Sequence, residues 1–291
     1  MPALCDLHIH SYFSDGSYSP TRLVQMCLEA GLASAALCDH NTIAGLEEFA
    51  AAGSRQKFLA VPGIEFSTDW QHPAWSEKQE FHILALFVRP EHHAPIKEFL
   101  ADSHKLKDAS NRILSQRLRE AGYPIDYDAL RAGVKGVPNR ADFARTLVEL
   151  GYLSSTKEAF RTLLNEKGGL YTPPPHPDSL ETIRFIRSLG LPAVLAHPLF
   201  EKEESIVRLF LDAAVPCGLT AMETLYSEFT PEETRKAKAM VAEYGLLESG
   251  GSDFHGNAKS GLSIGVGYGS LAIPDELRQR LEQTVSKPEI K

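Results

Sequence analysis

The sequence has few cysteines and no long apolar run, and each shortage excludes a class of protein. Its four cysteines lie far apart, with no Cys-x-x-Cys pair. This pattern is typical of buried, reduced thiols in a cytoplasmic protein. No stretch approaches the roughly 18 apolar residues that cross a bilayer, so no membrane contact is expected. His8 and His10 occupy the place of a cleavable signal peptide, which also favours the cytoplasm.

The chain also lacks an excess of positive charge. Its formal net charge is −8, which argues against a protein that coats nucleic acid through bulk electrostatics. Divalent cations in one cleft would reverse that sign locally, so an acidic protein could still attract a phosphorylated substrate. The 43% hydrophobic content is ordinary for a globular protein and argues against disorder.

What the sequence does contain is an alternation of short apolar runs with helical patterns. The predicted strands are ALCDLHI, LASAALCDH, KFLAVPGIEFS, EFHILALFV, LPAVLAHP, GLTAMET and LLESGGSD. Repeated β-α units of this kind indicate an α/β fold. With seven strands, a closed or nearly closed parallel barrel is favoured over an open sheet.

The alternation stops between the fourth and fifth predicted strands. Residues 95–170 contain several helical patterns and no convincing strand. They predict a helical insert, which ends at the stiff segment TPPPHP. Residues 1–94 and 171–291 are then expected to form the barrel.

Histidines and carboxylates lie at or just beyond the ends of the predicted strands. The set comprises Asp6, His8, His10, Asp15, Asp39, His40, Glu65, His82, His197, Asp253 and His255. Since the carboxyl ends of parallel strands open onto one face of a barrel, these side chains are expected to converge there. Strand alternation also places Asp6, His8 and His10 on one side.

Such a cluster points to metal binding. One buried histidine is usually a hydrogen-bonded core residue, but six with several carboxylates would bury many uncompensated polar groups. Neutral imidazoles and carboxylates around divalent cations account for all of them. The nitrogen and oxygen donors, without a plausible thiolate, suit manganese, zinc or iron better than calcium or magnesium.

Five motifs in this set resemble those of a known family. DLHIHSYFSDG, LCDHNTIAG, GIEFS, AHP and SDFHG occur in order over residues 6–256. They resemble the successive motifs of the PHP (polymerase and histidinol phosphatase) family of metallophosphoesterases. The resemblance implies a distorted seven-stranded (β/α) barrel of PHP type. It also implies two or three divalent cations, with Mn²⁺ preferred and Zn²⁺ or Fe²⁺ as alternatives.

The resemblance further implies how the donors divide among the ions. One ion would be held by His8, His10, Glu65 and Asp253. Glu65 would bridge to a second ion, which is completed by His82 and His197. A third ion would be held by Asp15, His40 and His255. Asp6 and Asp39 are expected to orient ligand imidazoles through their second ring nitrogen.

The expected reaction is hydrolysis of a phosphate ester by in-line attack of metal-bound hydroxide. Glu65, His197 and His255 are the expected catalytic residues. The proton donor for the leaving oxygen stays open between metal-bound water, His197 and His255. No covalent intermediate is required.

The insert is expected to select the substrate. Its segment GVPNRADFARTLVELGYLSSTKEAFRTLL resembles a subgroup segment that usually reads G-R-P-H-x-A-R-x-L-V, followed by a K-E-A-F helix. Arg140 and Arg145 match the two arginines, whereas Asp142 replaces the usual histidine. Arg140, near a helix start, would meet a phosphate oxygen. Lys135 and His176 are further substrate-binding candidates.

The subgroup with this insert resembles enzymes that act on nucleotide 5′-phosphates. We therefore expect removal of the 5′-phosphate from 3′,5′-nucleotide bisphosphates such as pAp, with short 5′-phosphorylated RNA or DNA as further substrates. A histidinol-phosphate phosphatase is the alternative enzyme. A non-catalytic metal-binding PHP module is the alternative from another class, although no ligand position is lost. No obligate protein partner is evident.

Overall fold

A computed structural model of the chain describes residues 3–286. Within that range the backbone forms eight strands and ten α-helices. The strands are β1 (Leu4–Ile9), β2 (Ser34–Leu37), β3 (Leu59–Trp70), β4 (Gln79–Leu86), β5 (Ala193–Leu195), β6 (Ala221–Tyr226), β7 (Leu247–Gly251) and β8 (Ile273–Pro274). The α-helices are α1 (Pro20–Glu29), α2 (Leu46–Gln56), α3 (His93–Glu120), α4 (Tyr127–Gly133), α5 (Arg140–Glu149), α6 (Thr156–Thr162), α7 (Ser179–Ser188), α8 (Glu204–Ala214), α9 (Pro231–Tyr244) and α10 (Asp275–Glu282). No helix in this range is long and apolar enough to cross a membrane.

The strands form one sheet that curls into a nearly closed barrel. Their order is β7-β6-β5-β4-β3-β2-β1-β8. The segment after β7 also reaches β1, because the Asp253 amide donates to the His8 carbonyl at 2.8 Å and the His10 amide to the Phe254 carbonyl at 2.9 Å. Gly251 permits this approach, since a Cβ atom there would lie only 2.1 Å from the Cβ of His8.

The predicted α/β barrel is confirmed, with all seven predicted strands present, but two details of the sheet differ from the expectation. The sheet has an eighth strand, β8, whose two residues are too few to show a period in the sequence. The barrel is also not wholly parallel, because β4 pairs antiparallel with both β3 and β5. The short loop 71–78 allows only a hairpin between β3 and β4. This reversal brings His82, early in β4, to the edge where the parallel strands end.

Two clusters of buried apolar side chains pack on the strands. The larger joins strand residues such as Ile64 and Ile83 to the helices, including Leu23 of α1 and Phe210 of α8. The smaller takes residues from β1 to β6 and is closed by Leu277 of α10 and its neighbours. Burial of apolar area on both groups of side chains makes the barrel a rigid support for its strand ends.

Residues 95–170, all of which the structure describes, contain no strand, as predicted. Helices α3 to α6 contribute most of a separate apolar cluster that includes Leu118, Phe143, Leu147 and Ala159. Helix α6 ends at Thr162. The glycine-containing segment that follows disfavours continued helix.

Candidate metal centre

The nine predicted metal ligands lie together at one edge of the barrel, around the carboxylate of Glu65. Its Oε1 atom is 2.8 Å from Nδ1 of His82 and 3.1 Å from Nε2 of His197. Its Oε2 atom is 3.1 Å from Nε2 of His8 and 3.2 Å from Nε2 of His10. The two oxygens of one buried carboxylate therefore face two different groups of imidazoles.

Two aspartates extend the cluster on either side of that carboxylate. The Oδ1 atom of Asp253 is 3.1 Å from Nε2 of His10. The Oδ1 atom of Asp15 is 3.2 Å from Nε2 of His255, and its Oδ2 atom is 3.7 Å from Nε2 of His40. Within residues 3–286, three groups of donors are compact enough to hold an ion: His8, His10 and Glu65; His40, Glu65 and His82; and His10, Asp15, His40 and His255.

Several donor atoms of this cluster are buried without a hydrogen-bond partner. Within residues 3–286, nine buried side-chain polar atoms lack a partner, and six belong to the cluster. These six are His8 Nε2, His10 Nδ1, His10 Nε2, Asp15 Oδ1, His40 Nδ1 and Glu65 Oε2. Such atoms are costly when unpaired, whereas a cation would accept their lone pairs. The residues present therefore fit divalent metal ions.

The side chains of the cluster shift one another's pKa. Burial alone would raise the pKa of Glu65, but His40, His8 and the other imidazoles outweigh burial and hold it well below its usual range. Burial also lowers the pKa of His82, but the Glu65 carboxylate outweighs it and raises that pKa to about 10. The Glu65 carboxylate is thus ionised at neutral pH. A metal ion that displaces the imidazole protons would bind with proton release.

Glu223 on β6 is a site residue that the sequence did not reveal. It is fully buried, and its Oε1 atom lies 3.0 Å from Nδ1 of His8. Its Oε2 atom accepts the backbone amide of His197 at 2.7 Å. A second partner of this kind fixes the ring orientation of a metal-binding histidine. The hydrogen bond from the His197 amide to Glu223 also holds His197 at a φ of 31°, in the left-handed region that non-glycine residues rarely adopt.

The expectation that Asp6 and Asp39 orient imidazoles is wrong. Asp6 accepts the backbone amides of Ser252 and Gly265, each at 2.8 Å. Asp39 accepts the amide of Ser11 at 2.7 Å and its hydroxyl at 2.6 Å. Both carboxylates therefore hold the backbone that carries the ligands. The sequence correctly places Asp6 and Asp39 at the metal edge of the barrel. It does not show whether their carboxylates bind imidazole rings or the backbone of the loops.

A cleft of about 350 Å³ opens over the cluster. Besides the histidines, its walls include Arg140, Lys202, Lys259 and Tyr226. The Nζ atom of Lys259 is 2.6 Å from Oδ2 of Asp253, and the Tyr226 hydroxyl donates to the same oxygen at 2.9 Å. The positive charge of Lys259 thus lies beside the carboxylate of Asp253, which is one of the predicted metal ligands.

A second cleft of about 230 Å³ joins the first and extends between the barrel and the insert. The two share four lining residues, His40, Glu80, His82 and Arg140. The second cleft adds the aromatic rings of Phe160 and Tyr171. The site is therefore continuous from the metal cluster to the helices of the insert.

The four predicted substrate-binding residues lie in different places relative to the two clefts. Arg140 starts α5, and its guanidinium lies 4.7 Å from the centre of the Tyr171 ring. His176 lines the second cleft, and Lys135 lines a further cavity beside it. Both arginines are ion-paired, Arg140 with Glu166 at 3.0 Å and Arg145 with Asp142 of the same helix. Arg145, unlike Arg140, is not among the residues that line these clefts.

Comparison with known proteins agrees with this site. Residues 6–138 match the PHP domain. The chain is 32% identical to a 5′-3′ exoribonuclease of Haemophilus influenzae, over 86% of this chain and 89% of that protein. It is 26% identical to a 3′,5′-nucleoside bisphosphate phosphatase of Chromobacterium violaceum, over 97% and 98% of the two chains.

A solved structure from Bifidobacterium adolescentis, described as a candidate metal-dependent phosphoesterase, matches with a TM-score of 0.84 and 26% identity. The match covers 99% of both chains. The barrel, the cluster of metal donors and these similarities agree with one another. The chain belongs to the PHP domain family and is a hydrolase that acts on phosphate esters.

Proposed function

We propose that the nine donors hold two or three divalent cations, with Mn²⁺ as the first choice and Zn²⁺ or Fe²⁺ as alternatives. Glu65 is the shared ligand in this proposal, because its two oxygens face different imidazoles. His8, His10 and Asp253 would complete one site on the Oε2 side. His82 and His197 would complete another on the Oε1 side, and the remaining donors, Asp15, His40 and His255, would form the third.

Cations bound here would supply an activated water and would bind phosphate oxygens. The protein's own side chains do the rest. Lys202 and Lys259 line the cleft and bring positive charge to the oxygens of a phosphate group. His197 and His255 line the same cleft, and both are candidates for the proton that the leaving oxygen requires.

The substrate assignment rests on the continuity of the two clefts. A phosphate group at the cluster would leave the rest of its ester in the second cleft, past Arg140. There Tyr171 and Phe160 offer aromatic faces on which a base can stack. We therefore propose removal of the 5′-phosphate from 3′,5′-nucleotide bisphosphates such as pAp. Residues 95–170 act as the substrate-binding subdomain.

Short 5′-phosphorylated oligonucleotides are the second candidate substrates. The second cleft adjoins a further cavity, with which it shares Ser14, His40 and Lys107, so a longer chain has room to continue. The Haemophilus relative is named a 5′-3′ exoribonuclease. A non-catalytic module is not proposed, because none of the nine proposed donor positions is replaced in the sequence.

Phosphate release from pAp and from histidinol phosphate tests the substrate assignment. With Mn²⁺ bound, the protein is expected to hydrolyse pAp at least about tenfold faster, since histidinol phosphate cannot fill the second cleft with a base. A faster reaction with histidinol phosphate would contradict the assignment and favour the alternative enzyme.

The Arg140→Ala variant tests the role of the insert. Loss of a guanidinium between the clefts is expected to raise KM for pAp about tenfold. Arg119→Ala removes an exposed arginine of α3 and serves as the control. Equal KM values in both variants would contradict a substrate contact by Arg140.

A further inference from the structure

The helical insert forms few hydrogen bonds with the barrel. Among the described residues, and apart from bonds within α3 and bonds to Thr172, where the chain returns to the barrel, only two join these regions. One is donated by Asn139 and the other by His104. Both end in loops that carry ligands of the proposed third ion, Asp15 and His40.

Asn139 holds the loop that carries Asp15. Its side-chain nitrogen donates to the Ser14 carbonyl at 2.6 Å, while its side-chain oxygen accepts the Asp142 amide and caps α5. The Ser14 hydroxyl donates to Asp39 of the barrel, also at 2.6 Å. The residue before Asp15 is therefore held by the barrel on one side and by the insert on the other.

His104 holds the turn that follows His40. Its Nε2 atom donates to the Asn41 carbonyl at 2.8 Å, since a carbonyl oxygen can only accept. Asn41 has a φ of 54°, a left-handed conformation that persists where the surrounding structure holds it. The Asn41 amide donates to the Glu65 carbonyl at 2.8 Å. The turn is therefore held by both the barrel and α3.

The two loops present donor atoms that need a fixed geometry. The Oδ1 atom of Asp15 and the Nδ1 atom of His40 are both buried without a hydrogen-bond partner. One cation can bind both ligands only while their loops keep them facing the same point. By contrast, His8 and His197 take their supporting contacts from Glu223, which belongs to the barrel.

We propose that the insert completes the third metal site, and that Asn139 and His104 are its positioning residues. This role rests on the proposed function, in which Asp15, His40 and His255 hold that ion. Occupancy of the third site then depends on the insert lying against the barrel. Because coupling between two equilibria is reciprocal, an ion bound there also stabilises the insert in that position. The other two ions do not have this effect.

The second cleft gives this coupling a consequence for the reaction. Its walls come from both regions, with Asn41 and Ser67 on the barrel side and Asn139 and Phe160 on the insert side. An ion that stabilises the insert against the barrel also stabilises the shape of this cleft. One ion of the cluster thereby links metal binding to substrate binding.

Metal binding by Asn139→Ser and His104→Ala tests these roles. Serine still caps a helix, but it lacks the amide and the length to reach the Ser14 carbonyl. Equilibrium dialysis followed by mass-spectrometric metal analysis gives the number of Mn²⁺ ions per chain and their affinities. In both variants the affinity for the third ion is expected to fall about tenfold, while the first two ions keep theirs. His104→Gln, whose amide can donate to the same carbonyl, is expected to restore part of that affinity.

Two variants of the same chain serve as matched controls. Asp126 caps α4 of the insert in the same way as Asn139 caps α5, and among the described residues its side chain bonds only to the first turn of α4. Asp126→Ser therefore changes a cap without changing a contact with the barrel. His93→Ala removes another imidazole of α3, the helix that carries His104. Both controls are expected to bind every ion as the wild type does.

Two further measurements locate the lost ion and test the reciprocal effect. Anomalous diffraction from Mn²⁺-soaked crystals of Asn139→Ser is expected to show a reduced peak beside Asp15 and His40 and full peaks beside Glu65. In the wild type, Mn²⁺ is expected to slow amide hydrogen exchange in α5 about tenfold, and in Asn139→Ser much less.

The outcomes separate these roles from the proposed function. Unchanged affinity for the third ion in Asn139→Ser and His104→Ala would refute the positioning roles while the function stands. An equal loss of all ions, or a wild-type protein without an ion beside Asp15 and His40, would also refute them. If the third ion depends on Asn139 but pAp releases no phosphate, the function is refuted and the positioning roles stand. Exchange in α5 that Mn²⁺ does not slow would refute the reciprocal effect on the insert.

Discussion

The metal edge of the barrel and the helical insert present their polar side chains in different ways. At the barrel edge, the donors sit on strands or directly after them, and Glu65 is fully buried. In the insert, Arg140 lies at a helix start, and its side chain is 38% exposed. A buried donor set is held in one geometry by its neighbours, whereas an exposed cation can adjust to a ligand.

Backbone strain follows the same division. Among the described residues, six non-glycine residues have a positive φ, and none lies within 95–170. Two of the six, His197 and Asp253, are predicted metal ligands. Such conformations persist only where the surrounding structure holds them. The comparison supports our proposal that reaction chemistry depends on the rigid barrel and substrate choice on the more adaptable insert.

The largest expected effect comes from Glu65→Gln at the barrel edge. Losing the shared negative charge would remove several kcal/mol of metal-based stabilisation, so kcat is expected to fall about a thousandfold. Steady-state phosphate release measures this loss, and circular dichroism checks that the fold is intact. Glu77→Gln, in the exposed loop 71–78, is the control. Near-wild-type turnover in Glu65→Gln would show that the Glu65 carboxylate is not a shared metal ligand.

The Phe143→Ala variant tests whether the two regions are independent. Phe143 is fully buried in the insert's own cluster, so its truncation is expected to lower the free energy of unfolding of the insert by about 3–5 kcal/mol. Both tryptophans, Trp70 and Trp75, lie in the barrel. Urea unfolding should therefore show an early loss of helix by circular dichroism and a later change in tryptophan fluorescence.

Leu150→Ala, at a side chain that is 52% exposed, is the control for that experiment. It is expected to leave the unfolding curve close to that of the wild type. A single coincident transition in Phe143→Ala, shifted as a whole, would show that insert and barrel unfold as one unit.

The Glu223→Gln variant is expected to have a smaller effect than Glu65→Gln or Phe143→Ala. Its new amide group would offer one oxygen where the carboxylate now faces both the His8 ring and the His197 backbone. Losing one of these contacts is expected to weaken metal binding about 10–100-fold. A competition titration with a chelator measures it, with Glu248→Gln on β7 as the control. Unchanged affinity would mean that metal binding does not depend on the contacts of Glu223 with His8 and His197.

The smallest effect concerns the thiols, all four of which lie outside the insert. Cys5, Cys27 and Cys38 are fully buried, which raises their pKa, whereas Cys217 is only half-buried. The expectation that all four are buried is therefore wrong for Cys217. At about pH 8 a disulfide-exchange reagent should label one thiol readily and the others only on unfolding. Rapid labelling of the buried three would contradict a rigid barrel.

The barrel is the part of the molecule that the sequence predicts best. Apolar runs fix the seven main strands, and donors at their ends fix the metal edge, because strand periodicity determines which side chains share a face. The direction of β4 is missed, since a period of two is the same for parallel and antiparallel pairing. Glu223 is missed because a lone carboxylate within an apolar strand has no local partner to mark it.

The insert is predicted less fully. Its helices follow from their patterns, and Arg140 lies at the start of α5 as expected. Lys107, however, belongs to a long polar helix on which a cavity-lining lysine looks like any solvated one. Arg145 matches a motif, yet its nearest partner is Asp142 of the same turn. Contacts between distant segments decide these cases, and local sequence does not encode them.

Anomalous diffraction from crystals soaked in Mn²⁺ is the sharpest test of a metal site shared through Glu65, because it locates each ion without reference to activity. We expect two or three peaks at the barrel edge, with one on each side of the Glu65 carboxylate. Each of these two should lie within coordination distance of one carboxylate oxygen and of the flanking imidazoles. A single ion that leaves His82 and His197 without a metal, or peaks away from these nine side chains, would contradict this expectation.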